Sequence, residues 1–359
     1  MLKSRKELLQ EIANFFKQDI ADFEFRSLTI SSSMTSNIED GLDGSIFRLH
    51  DKSKNRDFIV KMKSQSFVNN VGQAMNYTCN TVFEKDYEKG YGMFYIRDSY
   101  IREKFMYGML SDSLRKYLPT YYGTIELPDE TCLHLIELLE MNKQPIKLSY
   151  VVDFLVDLHC TYWQQEDCIK EMNANIPTLE DYVNAIPITE QLLKNISVLY
   201  DFFEPETLEI LRRFAHNPQY LYKSLCDFPQ TLCQGDFNMR NITFYPNCIK
   251  SYDWELATYN NPTFDIVSFL VDYPTQLNQD ICDEIFDTYT QKMIERMPEL
   301  KNLDWKKSLH FNIILFMITR FHAQMNICQR VPLDFMPQSI QNWKFLFSII
   351  PNNFLLSNI

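Results

Sequence analysis

Apolar and charged residues change their spacing twice along this chain, and each change marks a different kind of element. Between Arg5 and Gln18, Leu8, Leu9, Ile12, Phe15 and Phe16 recur on one side of a 3.6-residue period, predicting an amphipathic helix. FRSLTIS (25–31), GSIFRLH (44–50) and RDFIVKMK (56–63) are short, β-branched or aromatic, and separated by polar turns such as DKSKN, so they predict strands. The helical period returns in RDSYIREKFMYGMLSDSLRKYL (97–118), where Ile101, Phe105, Met106 and Met109 are spaced as one buried stripe. TYYGTIE and CLHLIELLE then predict two further strands, which completes a small sheet-based lobe ending near Met141.

After MNKQP the pattern becomes one of long helices. LSYVVDFLVDLHCTYW carries Val151, Leu155, Leu158 and Tyr162 at helical spacing, and further helices are expected at 188–203, 205–215, 263–274, 278–296, 305–329 and 337–349. Set among them is LCQGDFNMRNITF, in which TLCQG predicts a strand. NITFY and IKSYDW follow as two short strands joined through Pro246-Asn247. There is no internal repeat or low-complexity stretch. The expected architecture is α+β with two domains, 1–141 and 142–359.

Composition supports that division and excludes several functions. A chain of 359 residues is long for one compact unit, and 45% hydrophobic residues with 27 Phe and 20 Tyr can fill a large core. Nine scattered Cys without C-x-x-C pairs fit free thiols in a reducing cytoplasm. No secretory pattern follows MLKSRKELLQ, and the longest apolar run, FNIILFMI (311–318), is too short to span a bilayer. A cytoplasmic protein without a membrane partner is therefore expected. A net charge of −12 argues against nucleic acid as a partner. Acidic residues number 21 against 18 basic ones up to Met141, and 26 against 17 beyond it. The second part thus favours a cationic small molecule, with an ordinary solvated acidic surface as the plainer explanation.

Phosphoryl transfer asks a protein for metal ligands, a carboxylate at the acceptor hydroxyl, and cations or backbone amides on the phosphates. Asp236 lies just past a predicted strand and five positions before Asn241, and the hairpin that follows returns Asp253 to the same place. Asn241 and Asp253 are hard oxygen donors of the kind Mg²⁺ accepts. Alone, each has a plain explanation as a turn residue, a cap or a strand-end charge. Their joint spacing points to a site.

GD-x4-N followed by a short hairpin and DWE resembles the aminoglycoside phosphotransferase / choline kinase-like families of the protein-kinase-like fold. Those families usually read HGD-x4-N, so Gln234 stands where they carry His. DWELATYNNPTFDIVSFL resembles the family stretch in which a later Asp, here Asp265, braces the catalytic loop. FLVDLHCTYW is similar to the family's long helix, and REKFMYGMLSDSLRKYLPTYYG to its N-lobe helix and the strand after it.

The resemblance, over about residues 25–275, implies a bilobal fold with a small antiparallel-sheet N-lobe and a large, mostly helical C-lobe. It implies ATP- or GTP-dependent, Mg²⁺-dependent transfer of a γ-phosphate to a hydroxyl of a small molecule such as an aminoglycoside or amino alcohol. Asp236 would act as the catalytic carboxylate, and Asn241 and Asp253 would hold the metal. Lys61, paired with Glu103, would contact the phosphates, with Lys63 as rival to Lys61 and Glu84 as rival to Glu103. The phosphate-covering loop would lie near Gly44 and Ser45. Gln234 can supply one donor and one acceptor, so it can take over the scaffold role of a neutral His without titrating near pH 7. Segment 64–95 is either a lid or an extra packed helix. His159 and Cys233 read as core residues, and Arg240 as either a phosphate contact or a partner of an acidic neighbour. Two other functions remain open: a catalytically silent nucleotide-binding protein, and a kinase of hydroxy acids or protein side chains.

Overall fold

In the computed structural model, the residues described are 4–27, 46–64, 98–139, 145–172, 175–184, 204–321, 334–351 and 354. The chain opens with helix α1 (Arg5–Phe16), whose Ser4 side chain accepts from the Glu7 backbone N–H in place of a missing helical partner. Leu8 and Ile12 are buried as the periodicity requires, whereas Phe15 is 38% exposed. Strands β1 (Phe23–Arg26), β2 (Ile46–Asp51), β3 (Arg56–Lys63), β4 (Tyr121–Glu126) and β5 (Cys132–Glu137) form one antiparallel sheet in the order β1-β2-β3-β5-β4.

Alternation along β3 decides what each face of the sheet does. Phe58, Val60 and Met62 pack with Leu8, Ile12, Phe23, Leu49, Leu133 and Leu135 in the core beneath α1. The intervening Lys61 and Lys63 are turned to the opposite face and are nonetheless buried. Two ammonium groups on a buried sheet face require carboxylates, and the helix over Ser99–Met109 and the turn at Asp253–Leu256 supply them.

Helix α2 spans Ser99–Met109 and stops at Leu110, with a short 3₁₀ turn over Asp112–Tyr117 in place of one continuous helix to residue 118. Its buried side also differs from the stripe expected from apolar spacing. Arg102, Glu103, Met106, Tyr107 and Leu110 face inward, while Met109 is 44% exposed. The helix is rotated so that its charges, rather than all its apolar groups, meet the site.

The remaining elements are α3 (Leu148–Thr161), α4 (Glu166–Glu171), α5 (Leu179–Asn184), α6 (Pro205–His216), α7 (Pro218–Cys226), β6 (Thr231–Cys233), β7 (Ile242–Phe244), β8 (Ile249–Ser251), β9 (Thr258–Asn260), α8 (Thr263–Val271), α9 (Gln279–Arg296), α10 (Trp305–Phe316) and α11 (Met336–Ser348). Val151, Leu155, Leu158 and Tyr162 are buried as predicted, and every residue of α8 is buried, consistent with its high apolar content. Strands β7 and β8 form the expected hairpin around Pro246-Asn247, closed by Tyr245 N–H donating to the Cys248 carbonyl at 2.8 Å. Strand β9, which the sequence reading missed, pairs antiparallel with β6 and so fixes the strand leading into the GD-x4-N loop. Phe311–Ile318 is buried core. Among the described residues no helix is long and apolar enough to cross a membrane. Helix α10 passes into a wider π-helical turn at Met317–Phe321; the rest of the helix expected as far as 329, and the helix expected at 188–203, lie outside the described residues.

Candidate active site

The loop Gln234–Asn241 leaves β6 and enters β7, and four kinds of contact hold it. Asp265, fully buried near the start of α8, accepts from the backbone N–H groups of Gln234 at 2.8 Å and Gly235 at 2.9 Å. His159 of α3 lies against the same carboxylate at 3.4 Å and against the Tyr289 hydroxyl at 2.8 Å, so it is a core residue supporting the brace. Gly235 has φ +84°, and a Cβ placed there would lie 1.9 Å from the Leu256 carbonyl oxygen. Only a residue without a side chain permits that approach between the loop and the turn after β8.

Gln234 supplies the third contact. Its amide nitrogen donates to the carbonyls of Tyr252 at 3.1 Å and Asp253 at 2.9 Å, and its oxygen accepts from the Asp236 N–H at 2.8 Å. One buried side chain thus joins the backbones at the two acidic positions. Finally, Asn238 Oδ1 accepts from Arg240 N–H, and the Nδ2 atoms of Asn238 and Asn241 both donate to the Asp236 carbonyl at 2.9 Å.

Asp236 therefore has little freedom. Asn241 Nδ2 also donates to its carboxylate at 2.8 Å, which leaves Asn241 Oδ1 as the amide atom available to a cation. Burial pushes the Asp236 carboxyl up to about 6, although the guanidinium groups of Arg320 and Arg240 pull it down. Arg320 donates to the Gly235 carbonyl at 3.0 Å and the Tyr182 hydroxyl at 3.1 Å. Arg240 pairs with the buried Asp272 at 2.7 Å and stacks on the Phe335 ring at 3.6 Å from its centroid. Of the two readings left open for Arg240, the geometry shows the acidic neighbour.

Asp253 reaches the same place from the end of the β7–β8 hairpin. Tyr252 N–H donates to the Asn241 carbonyl at 2.9 Å, which continues the ladder by one pair and sets Asp253 beside the loop. Its backbone is left-handed (φ 62°, ψ 60°), an uncommon conformation for a non-glycine residue and one that collects at functional sites. The Tyr107 hydroxyl accepts from its N–H at 3.1 Å.

Across from this loop, Lys61 Nζ donates to Glu103 Oε1 at 2.7 Å and to Asp253 Oδ1 at 2.9 Å. Lys63 Nζ donates to Glu255 Oε2 and stands 3.7 Å from Glu103 Oε2. Burial alone would raise the acids and lower the lysines. For Asp253 and Glu103 the ammonium groups of Lys61 and Lys63 outweigh it and hold both carboxyls below their ordinary values. Asp253 and Glu103 in turn hold Lys61 well up, and Glu255 raises Lys63.

The structure thus brings Lys61, Glu103 and Asp253 into direct contact, and Asp236 and Asn241 into a second contact, with Gln234 bonded to both acidic positions. Of the two lysines, Lys61 makes the closer contact with Glu103. Gly44, Ser45 and Glu84 lie outside the described residues, as does most of segment 64–95. Sequence reasoning missed Arg102, whose Nη1 donates to the Glu255 carbonyl at 2.5 Å and whose Nη2 donates to the Asn175 carbonyl at 3.0 Å. It also missed Arg320. A lone cation closing the most apolar run of the chain was the available signal.

Residues 157–302, which hold His159, the Asp236–Asn241 loop, Asp253 and Asp265 but not Lys61 or Glu103, match the ecdysteroid kinase-like family. No curated protein matches the chain by sequence. Among solved structures it is similar to the choline kinase of Cryptosporidium parvum Iowa II, with a TM-score of 0.57 and 9% identity over 99% of each chain. The choline kinase LicA from Streptococcus pneumoniae aligns with a TM-score of 0.55 and 12% identity over 98% of each chain. The Plasmodium vivax ethanolamine kinase aligns with a TM-score of 0.54 and 13% identity over 95% of this chain and 85% of its own. The chain therefore has the protein-kinase-like fold shared with these small-molecule kinases, and its residues 157–302 carry the ecdysteroid kinase-like pattern.

Proposed function

We propose that this protein is a phosphotransferase that moves the γ-phosphate of ATP or GTP to a hydroxyl of a small molecule. The observation that carries the reading is Lys61: it touches Glu103, 42 positions away, and Asp253, 192 positions away, in the arrangement phosphoryl transfer needs. In this reading the sheet unit, residues 1–141, receives the nucleotide. The helical unit, 142–359, carries the catalytic loop and the acceptor.

Asp236 orients the acceptor hydroxyl and takes its proton as the new O–P bond forms. A carboxyl raised to about 6 is still ionised at neutral pH, and it binds that proton more readily than an ordinary aspartate. Asn241 holds the carboxylate in place through Nδ2, and Asp265 and Gln234 hold the backbone beneath it. Lys61 exchanges its bond to Asp253 for the phosphates while Glu103 keeps its position. The amide oxygen of Asn241 and the carboxylate of Asp253 suit Mg²⁺ and would hold it, where its charge neutralises the phosphate oxygens.

Because Gln234 reproduces the bonds expected of a neutral His, its presence does not favour the catalytically silent alternative. The acceptor's identity is open within this reading, and the −9 balance after Met141 leans toward a cationic alcohol. The Asp236→Asn variant tests the assignment. Nucleotide turnover with an acceptor panel should fall by roughly 10²–10⁴-fold while calorimetric binding of Mg·ATP stays within about threefold. Turnover retained in that variant overturns the role of Asp236, and tight nucleotide binding without any transfer in the wild type favours the silent alternative.

A further inference from the structure

The mechanism above uses Lys61 and gives Lys63 nothing to do, yet Lys63 is equally buried. Its position follows from the two-residue period of β3, which places both ammonium groups on one face. Glu255 is brought to it by the turn after Asp253. The left-handed backbone at Asp253 begins a 3₁₀ turn, Trp254–Leu256, and Arg102 fixes that turn by donating to the Glu255 carbonyl. Lys63 Nζ then bonds Glu255 Oε2.

Oxygens of Glu103, Asp253 and Glu255 all lie within 4.8 Å of one another. Three carboxylates packed this closely form a donor set for a hard divalent cation. A second observation points the same way: Glu103 Oε2 is buried and makes no hydrogen bond. The Lys63 ammonium stands 3.7 Å from it, while Lys61 bonds the other oxygen of the same carboxylate. Such a cluster can be neutralised by another metal ion or by a fixed ammonium group. Here the ammonium is present, on a strand inside a five-stranded sheet, and a lysine is a compact point charge suited to the task. A divalent ion entering beside it would meet a like charge in a site of low dielectric.

We propose that Lys63 is a built-in substitute for a second divalent cation: its ammonium holds Glu255 and balances the Glu103–Asp253–Glu255 trio, so the nucleotide complex takes up one metal ion. This inference rests on the phosphotransferase reading, in which Asn241 and Asp253 receive the metal that accompanies the nucleotide. It divides the two lysines by task. Lys61 is shared with Asp253 and is released to the phosphates, whereas Lys63 stays on Glu255.

Mn²⁺ is a direct probe, counted by equilibrium dialysis and by the loss of the free-ion electron paramagnetic resonance signal. The full-length protein is used with a saturating non-hydrolysable ATP analogue, repeated with the GTP counterpart. Wild type should retain one Mn²⁺ per bound nucleotide, Lys63→Met should retain two, and Lys63→Met/Glu255→Gln should return to one. Two ions in the wild type, or one in a folded Lys63→Met variant, overturn the inference. Should Lys63→Met fail to fold, Glu255→Gln alone decides: the single ion is expected to remain with affinity within about threefold, and its loss would make Glu255 a metal ligand. A different outcome strikes the underlying reading first. If neither nucleotide binds, or either binds without Mn²⁺, the phosphotransferase assignment falls and this inference falls with it.

Discussion

Around Lys61 the site is held by charge, and around Asp236 it is held by backbone hydrogen bonds. Lys61, Lys63, Glu103, Asp253 and Glu255 are ionisable side chains whose contacts are to one another. The Asp236 loop instead rests on amide groups: Gln234, Asn238 and Asn241 bond main-chain atoms, and Asp265 accepts two main-chain N–H groups. The difference matches the tasks assigned to each half. A charge cluster exchanges partners readily, because an incoming phosphate or cation can replace an ammonium or carboxylate in kind. A loop that must present one carboxylate to one hydroxyl needs directional bonds that do not exchange.

Substitutions should therefore separate folding from ligand binding according to which half they strike. The largest effect is expected at Asp265. Alanine there leaves two buried N–H groups without acceptors beside His159, and the free energy of unfolding should fall by about 3–5 kcal/mol in urea titrations. A loss below about 1 kcal/mol would show that the loop is held by something other than this brace.

A smaller and opposite effect is expected at Asp236. Its carboxyl is raised in the folded protein, from the ordinary 3.8 to about 6. The folded state therefore binds the proton more tightly than the unfolded chain does. Stability is highest with respect to this group below about pH 4 and is lost as pH rises through 6. Asp236→Asn removes that loss. Because the side chain is partly exposed and water screens it, the variant should gain about 1–2 kcal/mol at pH 7.5 and almost nothing near pH 4. Thermal denaturation at the two pH values gives the comparison, and equal gains at both would remove the charge as its cause.

The smallest effect on folding is expected in the charge cluster. Lys61→Met with Glu103→Leu removes one positive and one negative charge and replaces a buried ion pair by apolar groups, a change that is often near neutral. Unfolding free energy should shift by less than about 1.5 kcal/mol, while Mg·ATP affinity measured by calorimetry drops at least about tenfold. A collapse of stability with affinity preserved would reverse the division of labour between the two halves.

Gly235 shows why the halves cannot be moved apart. Its missing side chain lets the loop pass against the Leu256 carbonyl, and Gln234 bonds the Tyr252 and Asp253 carbonyls from the same strand end. The residue that departs from the usual family wording is thus the one that links Asp236 to Asp253, the carboxylates proposed to accept the proton and to hold the metal. A glutamine does this with one donor and one acceptor and no titrating group.

The parts legible from the amino-acid order are those whose cause is local. Alternation in RDFIVKMK put both lysines on one face, the 3.6-residue period of LSYVVDFLVDLHCTYW placed its core residues, and Pro246-Asn247 marked the hairpin that carries Asp253. The spacing of Asp236, Asn241 and Asp253 is likewise a local property. The error at α2 has the complementary cause. Apolar spacing predicted a stripe through Met109, but the helix is turned to deliver Arg102 and Glu103, and their partners lie on other elements.

What the sequence determined alone is most of the elements and the spacing of the carboxylate and amide residues of the candidate site, because propensity, periodicity and turn chemistry act over a few residues. Tertiary structure decided which charges meet. It placed Glu103 between two lysines, set Glu255 on Lys63, brought Arg320 to the Gly235 carbonyl, and gave Asp236 its raised carboxyl. Each of these depends on how groups distant in the chain are desolvated together, and no local pattern encodes that distance.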